Sequence, residues 1–181
     1  IVPLKNIINE VYSKDISRKL LPVFAEKQRN GEFIGNWAIY GYQKCPDDHH
    51  RIEPDPETAP VVREMFQWRF SGMSYQNIAR RLNERNIPSP GRYHYLKGNS
   101  KSERYANTIW NVCSVKNMLS SEVYLGHMVQ GRKRSGFSEG RKSYRVPKSE
   151  WVIVRNTHEP LVEEEIFQAV QRMAEKARTT Y

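Results

Sequence analysis

Apolar residues recur at helical spacing near the start of the chain and predict a long first helix. Between Leu4 and Phe24 they fall every three or four residues, which is typical of one apolar stripe along a helix. The pattern predicts a helix over residues 4–30, with Gly31 as its stop. Pro22 removes a backbone donor and clashes with the preceding turn, so we expect a kink or a break there.

Two shorter helical patterns follow in the middle of the chain. Asp55 is the expected N-cap of a helix that begins at Pro56 and ends at Gly72, and Ser74 is the expected cap of a helix that ends at Asn86. The inward stripes are predicted to comprise Val61, Val62, Met65, Phe66 and Phe70 in the first helix and Ile78, Ala79 and Leu82 in the second.

A third helix is expected after residues 92–106, which show no apolar periodicity and predict an exposed basic loop. Thr108 is its expected N-cap. The residues predicted to point inward are Ile109, Val112, Val115 and Leu119. A polar face of this helix is then left for solvent or for a partner.

The last third of the chain combines strand-like segments with one more helix. Residues 127–134 and 144–155 predict a basic β-ribbon, since the segment between them is rich in turn residues. After Pro160 the apolar positions Ile166, Phe167, Val170 and Met173 predict a final helix. The expected fold is mainly α with a small β-ribbon, divided into units at residues 1–35, 36–126 and 127–181.

Composition narrows the classes of protein that fit. The 181 residues contain no apolar run of about 18, which a membrane-spanning helix requires. With only Cys45 and Cys113, a disulfide-rich scaffold and a four-thiolate zinc site are excluded, and a reduced, cytoplasmic setting is favoured. The chain begins at Ile1, so we expect it to be part of a larger protein.

The net charge of +9 is concentrated in two blocks. Residues 80–104 carry +5 and residues 127–155 carry +6. Such one-sided charge favours a polyanion, and double-stranded DNA in particular, over a merely solvated surface. The expected contacts to the DNA backbone are Arg80, Arg81, Arg92, Lys97, Lys101, Arg104, Lys116, Arg132, Lys133, Arg134, Arg141, Lys142 and Arg145.

Two helices joined by a short glycine-containing turn, then a third, outline a helix-turn-helix-like DNA-binding domain. On the third helix Asn111, Ser114 and Asn117 share one face, and their side chains are of the kind that reads base edges. The alternative is that these residues only hydrate the helix.

Catalytic and metal sites are weaker interpretations. Ser13 and Ser17 lie among charged residues, but no base is placed to activate either of them, and we assign no catalytic residue. The loop with Cys45, Asp47, Asp48, His49 and His50 has suitable ligand types. Adjacent ligands in a flexible loop make a poor preformed site, so we assign no metal ligand and no cofactor.

Several motifs in order resemble the recombinase domain of the large serine recombinases, which include phage integrases and transposon recombinases. They are GYQKCPDD, IEPDPETAPVVREMF, SGMSYQNIARRLNERNIPSP and WNVCSVKNMLSSEVYLG, all within residues 40–126. NIINEVYSKDISRK resembles the end of the long helix E that follows the catalytic domain of the family. HEPLVEEEIFQAVQRM resembles the entry to its zinc ribbon domain.

The resemblance implies a role for each unit. Residues 1–35 would be the end of helix E and a linker, 36–126 the DNA-binding recombinase domain, and 127–181 the ribbon and helix leading to a zinc ribbon. The catalytic serine and the zinc site are expected outside this chain, in a parent that acts as a dimer on a site and a tetramer in synapsis. The alternatives are a stand-alone transcriptional regulator and a metal-dependent nuclease.

Overall fold

The computed structural model describes residues 2–134 and 142–179. Within these residues six α-helices dominate and strands form three two-stranded antiparallel sheets, so the predicted mainly-α fold is confirmed. In the same part of the chain no helix is both long enough and apolar enough to cross a membrane.

The first helix, α1, spans Val2–Arg29 and runs through Pro22 without a break. The expected break is therefore wrong, because one proline removes a single donor while the hydrogen bonds on either side continue the helix, and the kink stays a prediction. The helix ends at Arg29, and Gly31, the predicted stop, follows with a φ of 75°.

A hairpin of two short strands, β1 (Tyr42–Lys44) and β2 (Ile52–Pro54), follows the chain out of α1. The cysteine and histidine loop is the turn of this hairpin, closed by a hydrogen bond from the Cys45 backbone N to the Arg51 carbonyl. The two strands were not predicted, since three residues are too few to display an alternating pattern.

Helix α2 spans Ala59–Phe70 and helix α3 spans Tyr75–Glu84. The predicted start of α2 at Pro56 is wrong: Thr58 is the N-cap residue, and the Asp55 carboxylate instead accepts hydrogen bonds from Glu57 N and Tyr93 Oη. Ser74 caps α3 as predicted, and its hydroxyl accepts from Asn77 N.

The region predicted as a basic loop contains helix α4 (Pro90–Leu96) and a 3-10 turn (Glu103–Tyr105), so the loop prediction is wrong for those residues. Helix α5 spans Val112–Leu119. Its N-cap is Asn111 and not Thr108, whose hydroxyl donates to the Tyr105 carbonyl.

The predicted β-ribbon is present as two consecutive strand pairs. Strand β3 (Met128–Gln130) pairs with β6 (Val152–Val154), and β4 (Lys133–Arg134) pairs with β5 (Tyr144–Arg145). Short 3-10 turns at Glu122–Leu125 and Lys148–Glu150 precede β3 and β6. The last helix, α6, spans Glu164–Thr179, as the apolar pattern predicted.

One buried core joins α2, α3 and α5 to α6. The core residues assigned to packing are all buried: Val62, Phe66, Ile78, Leu82, Val115 and Leu119. Phe66 contacts both Tyr124 and Phe167, with ring centroids 5.8 and 6.0 Å apart. The core is therefore continuous across the boundary predicted at residue 126, and the division into units remains a prediction.

Three residues predicted to point inward are instead exposed. Phe70 lies at the end of α2 and is 47% exposed. Ile109 precedes α5 and is 65% exposed, and Val112, its first residue, is 43% exposed. Phe70 and Val112 stand at the ends of their helices and Ile109 precedes α5, so the periodicity that holds inside each helix does not bury these three residues.

Candidate functional site

A tryptophan clamp fixes the chain where it enters α5. Trp110 is buried, and its backbone N and carbonyl are bonded to Oδ1 and Nδ2 of Asn83 on α3, at 2.9 and 3.0 Å. Its indole Nε1 donates to the Ile87 carbonyl at 2.9 Å. The start of α5 is thereby held rigidly against α3, which is the requirement for a surface that reads a partner by shape.

The first turn of α5 is closed by a reciprocal capping box. Asn111 Oδ1 accepts from Ser114 N at 2.9 Å, and Ser114 Oγ is the acceptor for Asn111 N at 3.1 Å. Two of the three predicted base-reading side chains are thus engaged in local bonds. Asn117 is exposed on the same helix, and only its backbone carbonyl is bonded to a side chain, that of Ser120.

Helix α3 presents polar residues that the sequence interpretation did not single out. Gln76 and Asn77 are exposed near its N-terminus, and Arg80 Nη2 donates to Asn77 Oδ1 at 3.2 Å. Asn83, three residues after Arg80, lies on the same side of the helix and makes the clamp to Trp110. Packing of α3 against α5 was the missing signal, since the clamp joins residues 27 positions apart.

The predicted cations between residues 80 and 104 differ in their surroundings. Arg80 and Lys97 form exposed ion pairs with Glu84 and Glu57, at 3.8 and 2.5 Å. Exposed pairs of this kind contribute about 0–1 kcal/mol, so a phosphate can replace the carboxylate at small cost. The guanidinium groups of Arg81 and Arg104 lie over aromatic rings, those of Trp68 and Tyr105.

Arg92 and Lys101 complete this block. Lys101 is exposed and forms no ion pair within residues 2–134 and 142–179. Arg92 lies in α4 and is half-buried, and its Nε atom is buried without a hydrogen-bond partner in the described structure. An unsatisfied buried donor of this kind costs about 1–3 kcal/mol.

The β-ribbon brings two cations directly opposite each other. In the β4–β5 pair, Lys133 is the cross-strand neighbour of Arg145, and both side chains are exposed. Like charges at such positions repel. Neither forms an ion pair with any residue that the structure describes, and Lys142 and Lys116 share this property.

The remaining ribbon cations have neighbours on the ribbon itself. Arg132 lies over the ring of Trp151, 4.8 Å from its centroid, and Arg134 pairs with Glu150 at 3.2 Å. Arg141 lies outside the described residues. The structure thus gathers the second basic block on one β-ribbon, as the charge pattern indicated.

The residues weighed as metal ligands do not form a cluster. Among the described residues no group of three or more histidine, cysteine or acidic side chains is placed to hold a metal ion. His50 instead bonds the Phe33 carbonyl and Lys27 Nζ, at 3.1 and 3.0 Å. Burial raises the pKa of the Cys45 thiol, which disfavours the thiolate that binds metal.

An apolar cavity of about 460 Å³ lies between the segment after α1 and α4. Trp37, Tyr40 and Tyr105 line it together with His94, whose ring lies 5.5 Å from that of Trp37. Burial lowers the pKa of His94. Ser13 and Ser17, which were rejected as nucleophiles, belong to α1, and their side chains are outside the described set.

The chain is similar to known proteins both in sequence and in fold. The family model named Recombinase matches residues 56–177. A solved structure concerned with the sequence requirements of the Listeria innocua prophage attP site is 15% identical, with 87% of this chain and 51% of that chain covered and a TM-score of 0.54. The crystal structure of an LSR–DNA complex is also 15% identical, with 87% and 38% covered and a TM-score of 0.55.

At this level of identity the two structures establish a shared fold. The chain spans about half the length of the first structure and less of the second.

Proposed function

Since this chain belongs to the Recombinase family, as its motifs predicted, we propose that it is the DNA-binding part of a large serine recombinase. In this role it binds one arm of an attachment site or transposon end, outside the crossover. The family match favours this function over a stand-alone transcriptional regulator. The shared fold with an LSR–DNA complex supports double-stranded DNA as the partner.

The observation that carries the proposal is the cross-strand pair of Lys133 and Arg145. Two exposed cations facing each other destabilise a two-residue ladder, and a phosphate between them removes the repulsion. We therefore assign the ribbon to the DNA backbone, along a groove edge. Exposed Lys116 and Lys101 are the corresponding candidate backbone contacts on the helical unit.

The helix-turn-helix-like unit supplies the second part of the surface. Helix α3 follows α2 after a short turn and packs against α5, so the two helices present their exposed residues side by side. We assign Asn117 to base reading, because its amide is exposed and an asparagine amide pairs with adenine through two hydrogen bonds. Asn111 and Ser114 take a supporting role, since their capping bonds hold the helix start.

In the parent protein the chemistry belongs to other domains. The resemblance implies a catalytic serine that joins covalently to a DNA end, and a zinc ribbon that holds the metal. Dimers on a site and tetramers in synapsis follow from the same resemblance, as does a cytoplasmic setting. The fragment itself is expected to bind DNA without cleaving it.

Replacing Asn117 by alanine is expected to weaken binding to the cognate half-site by roughly ten- to a hundredfold, because one good base pair contact is worth about 1–3 kcal/mol. Binding to a scrambled duplex should be nearly unchanged. Competition binding with both duplexes measures the two effects. Asn36→Ala, at an exposed position before the core, serves as the matched control, and equal losses on both duplexes would remove Asn117 from base reading.

Cys113 offers an independent probe of the same surface. Its side chain is exposed in the first turn of α5, whereas Cys45 is half-buried and has a raised pKa. In a Cys45→Ser variant, we expect bound cognate duplex to slow alkylation of Cys113 by at least about tenfold, as DNA covers the helix start. Mass spectrometry measures the rate, and an unchanged rate at saturating DNA contradicts the assignment of α5 to the interface.

A further inference from the structure

Two apolar side chains stand exposed on either side of the Asn111 cap. Ile109 is 65% exposed and Val112 is 43% exposed, although Trp110 between them is 2% exposed. The Asn83 clamp fixes the backbone of Trp110, so this exposure is built into the fold and is not a property of a loose loop. Burying these side chains in the core would require breaking the clamp.

The charge around the pair indicates what covers it. Residues 104–121 contain Arg104 and Lys116 and no aspartate or glutamate. Lys116 lies one turn after Val112 on α5, is exposed, and forms no ion pair in the described part of the chain. Apolar side chains close to an exposed, unpaired lysine suit a partner that combines negative charge with small apolar groups.

Thymine in the DNA major groove has both properties. Its C5-methyl group is the one apolar group on the base edges there, and the phosphates on either side supply the negative charge. Apolar side chains read this methyl by contact, with no hydrogen bond to satisfy.

The capping box strengthens this assignment. Asn111 Oδ1 is already an acceptor for Ser114 N, which competes with the two-bond contact to adenine that needs the same oxygen. At the N-terminus of α5, Asn111 is therefore less available to hydrogen-bond a base, and an exposed apolar side chain lies on each side of it. From this geometry we infer that Ile109 and Val112 read thymine methyl groups in the half-site, an inference that rests on the proposed function.

Deoxyuridine substitution tests the inference directly, because uracil differs from thymine only by that methyl. A duplex selected by this chain from random sequence would be remade with each thymine replaced in turn. We expect wild-type binding to fall roughly three- to fivefold at one or two thymines, the value for burying one methyl group. The Ile109→Ala and Val112→Ala variants should bind thymine-containing DNA more weakly than wild type by a similar factor. Replacing the matching thymine by deoxyuridine should then weaken the binding of the variant no further.

Leu96→Ala is the matched control, since Leu96 is 62% exposed at the end of α4. It should keep the wild-type penalties for deoxyuridine. The thermal unfolding midpoints of all three variants should equal that of wild type, because the replaced side chains are exposed.

The outcomes separate this inference from the proposed function. Wild-type binding that is indifferent to every deoxyuridine overturns the methyl reading and leaves DNA binding standing. Alanine variants that retain the wild-type penalties also overturn it. Alanine variants that bind thymine-containing DNA as tightly as wild type overturn it as well. Failure of the wild-type chain to bind any duplex overturns the inference and the proposed function together.

Discussion

Ile78→Asp is expected to abolish the cooperative unfolding transition of the helical core. Ile78 is fully buried on α3, and a carboxylate there has no partner to offset its loss of hydration. Single changes of this kind cost more than about 4–5 kcal/mol, which approaches the 5–15 kcal/mol that stabilises a typical domain. Thermal and urea unfolding followed by circular dichroism measure the effect.

The neighbouring residue provides the control. Asn77 is exposed on the same helix, so Asn77→Asp introduces the same side chain one position away and should change the free energy of unfolding by less than about 1 kcal/mol. A cooperative transition of wild-type midpoint in the Ile78 variant would show that α3 does not pack as the structure describes.

Binding to duplex DNA is expected to depend steeply on salt. If five to eight of the predicted cations meet phosphates, log K should fall with log salt at a slope of roughly -5 to -7, because each neutralised phosphate releases about 0.9 counterion. A rise from 50 to 200 mM salt then lowers affinity by about 10³- to 10⁴-fold. Fluorescence anisotropy over this range measures the slope, and a slope near zero rules out phosphate-driven binding.

The ribbon accounts for a defined share of that slope. Replacing Arg132, Lys133 and Arg134 by alanine should flatten it by up to about three units and weaken binding to all sequences alike. Arg63→Ala removes an equally exposed cation from α2, where it pairs with Glu159 at 3.8 Å, and should leave the slope unchanged. Equal slopes in the ribbon variant and wild type would identify the ribbon as a solvated surface.

Local signals in the sequence predicted the parts of the fold that depend on neighbours along the chain. Ser74 caps α3 because its hydroxyl reaches an amide three residues ahead, a relation visible in the sequence. The buried positions of α2 and α3 follow from helical periodicity in the same way, as Phe66 and Ile78 show. The basic ribbon followed from charge and turn residues.

What depended on distant parts of the chain was not predictable. The clamp of Trp110 on Asn83 fixes the residue before the Asn111 cap, and nothing near Thr108 in the sequence reports that contact. The error of three residues at this cap placed Ile109 and Val112 in the core, when the structure exposes both. The misplaced helix start is therefore the reason why the residues that we now assign to methyl reading were not predicted to be exposed.

The closure of the core by α6 sets an order of events during synthesis. Tyr42 Oη donates to the Glu159 carbonyl across 117 positions, and Gln171 Nε2 donates to the Leu119 carbonyl at the end of α5. While the ribosome has made only the first three helices, Phe66 still lacks its contact with Phe167. Because such long-range closure slows folding, we expect the apolar side of α2 to stay exposed until α6 emerges.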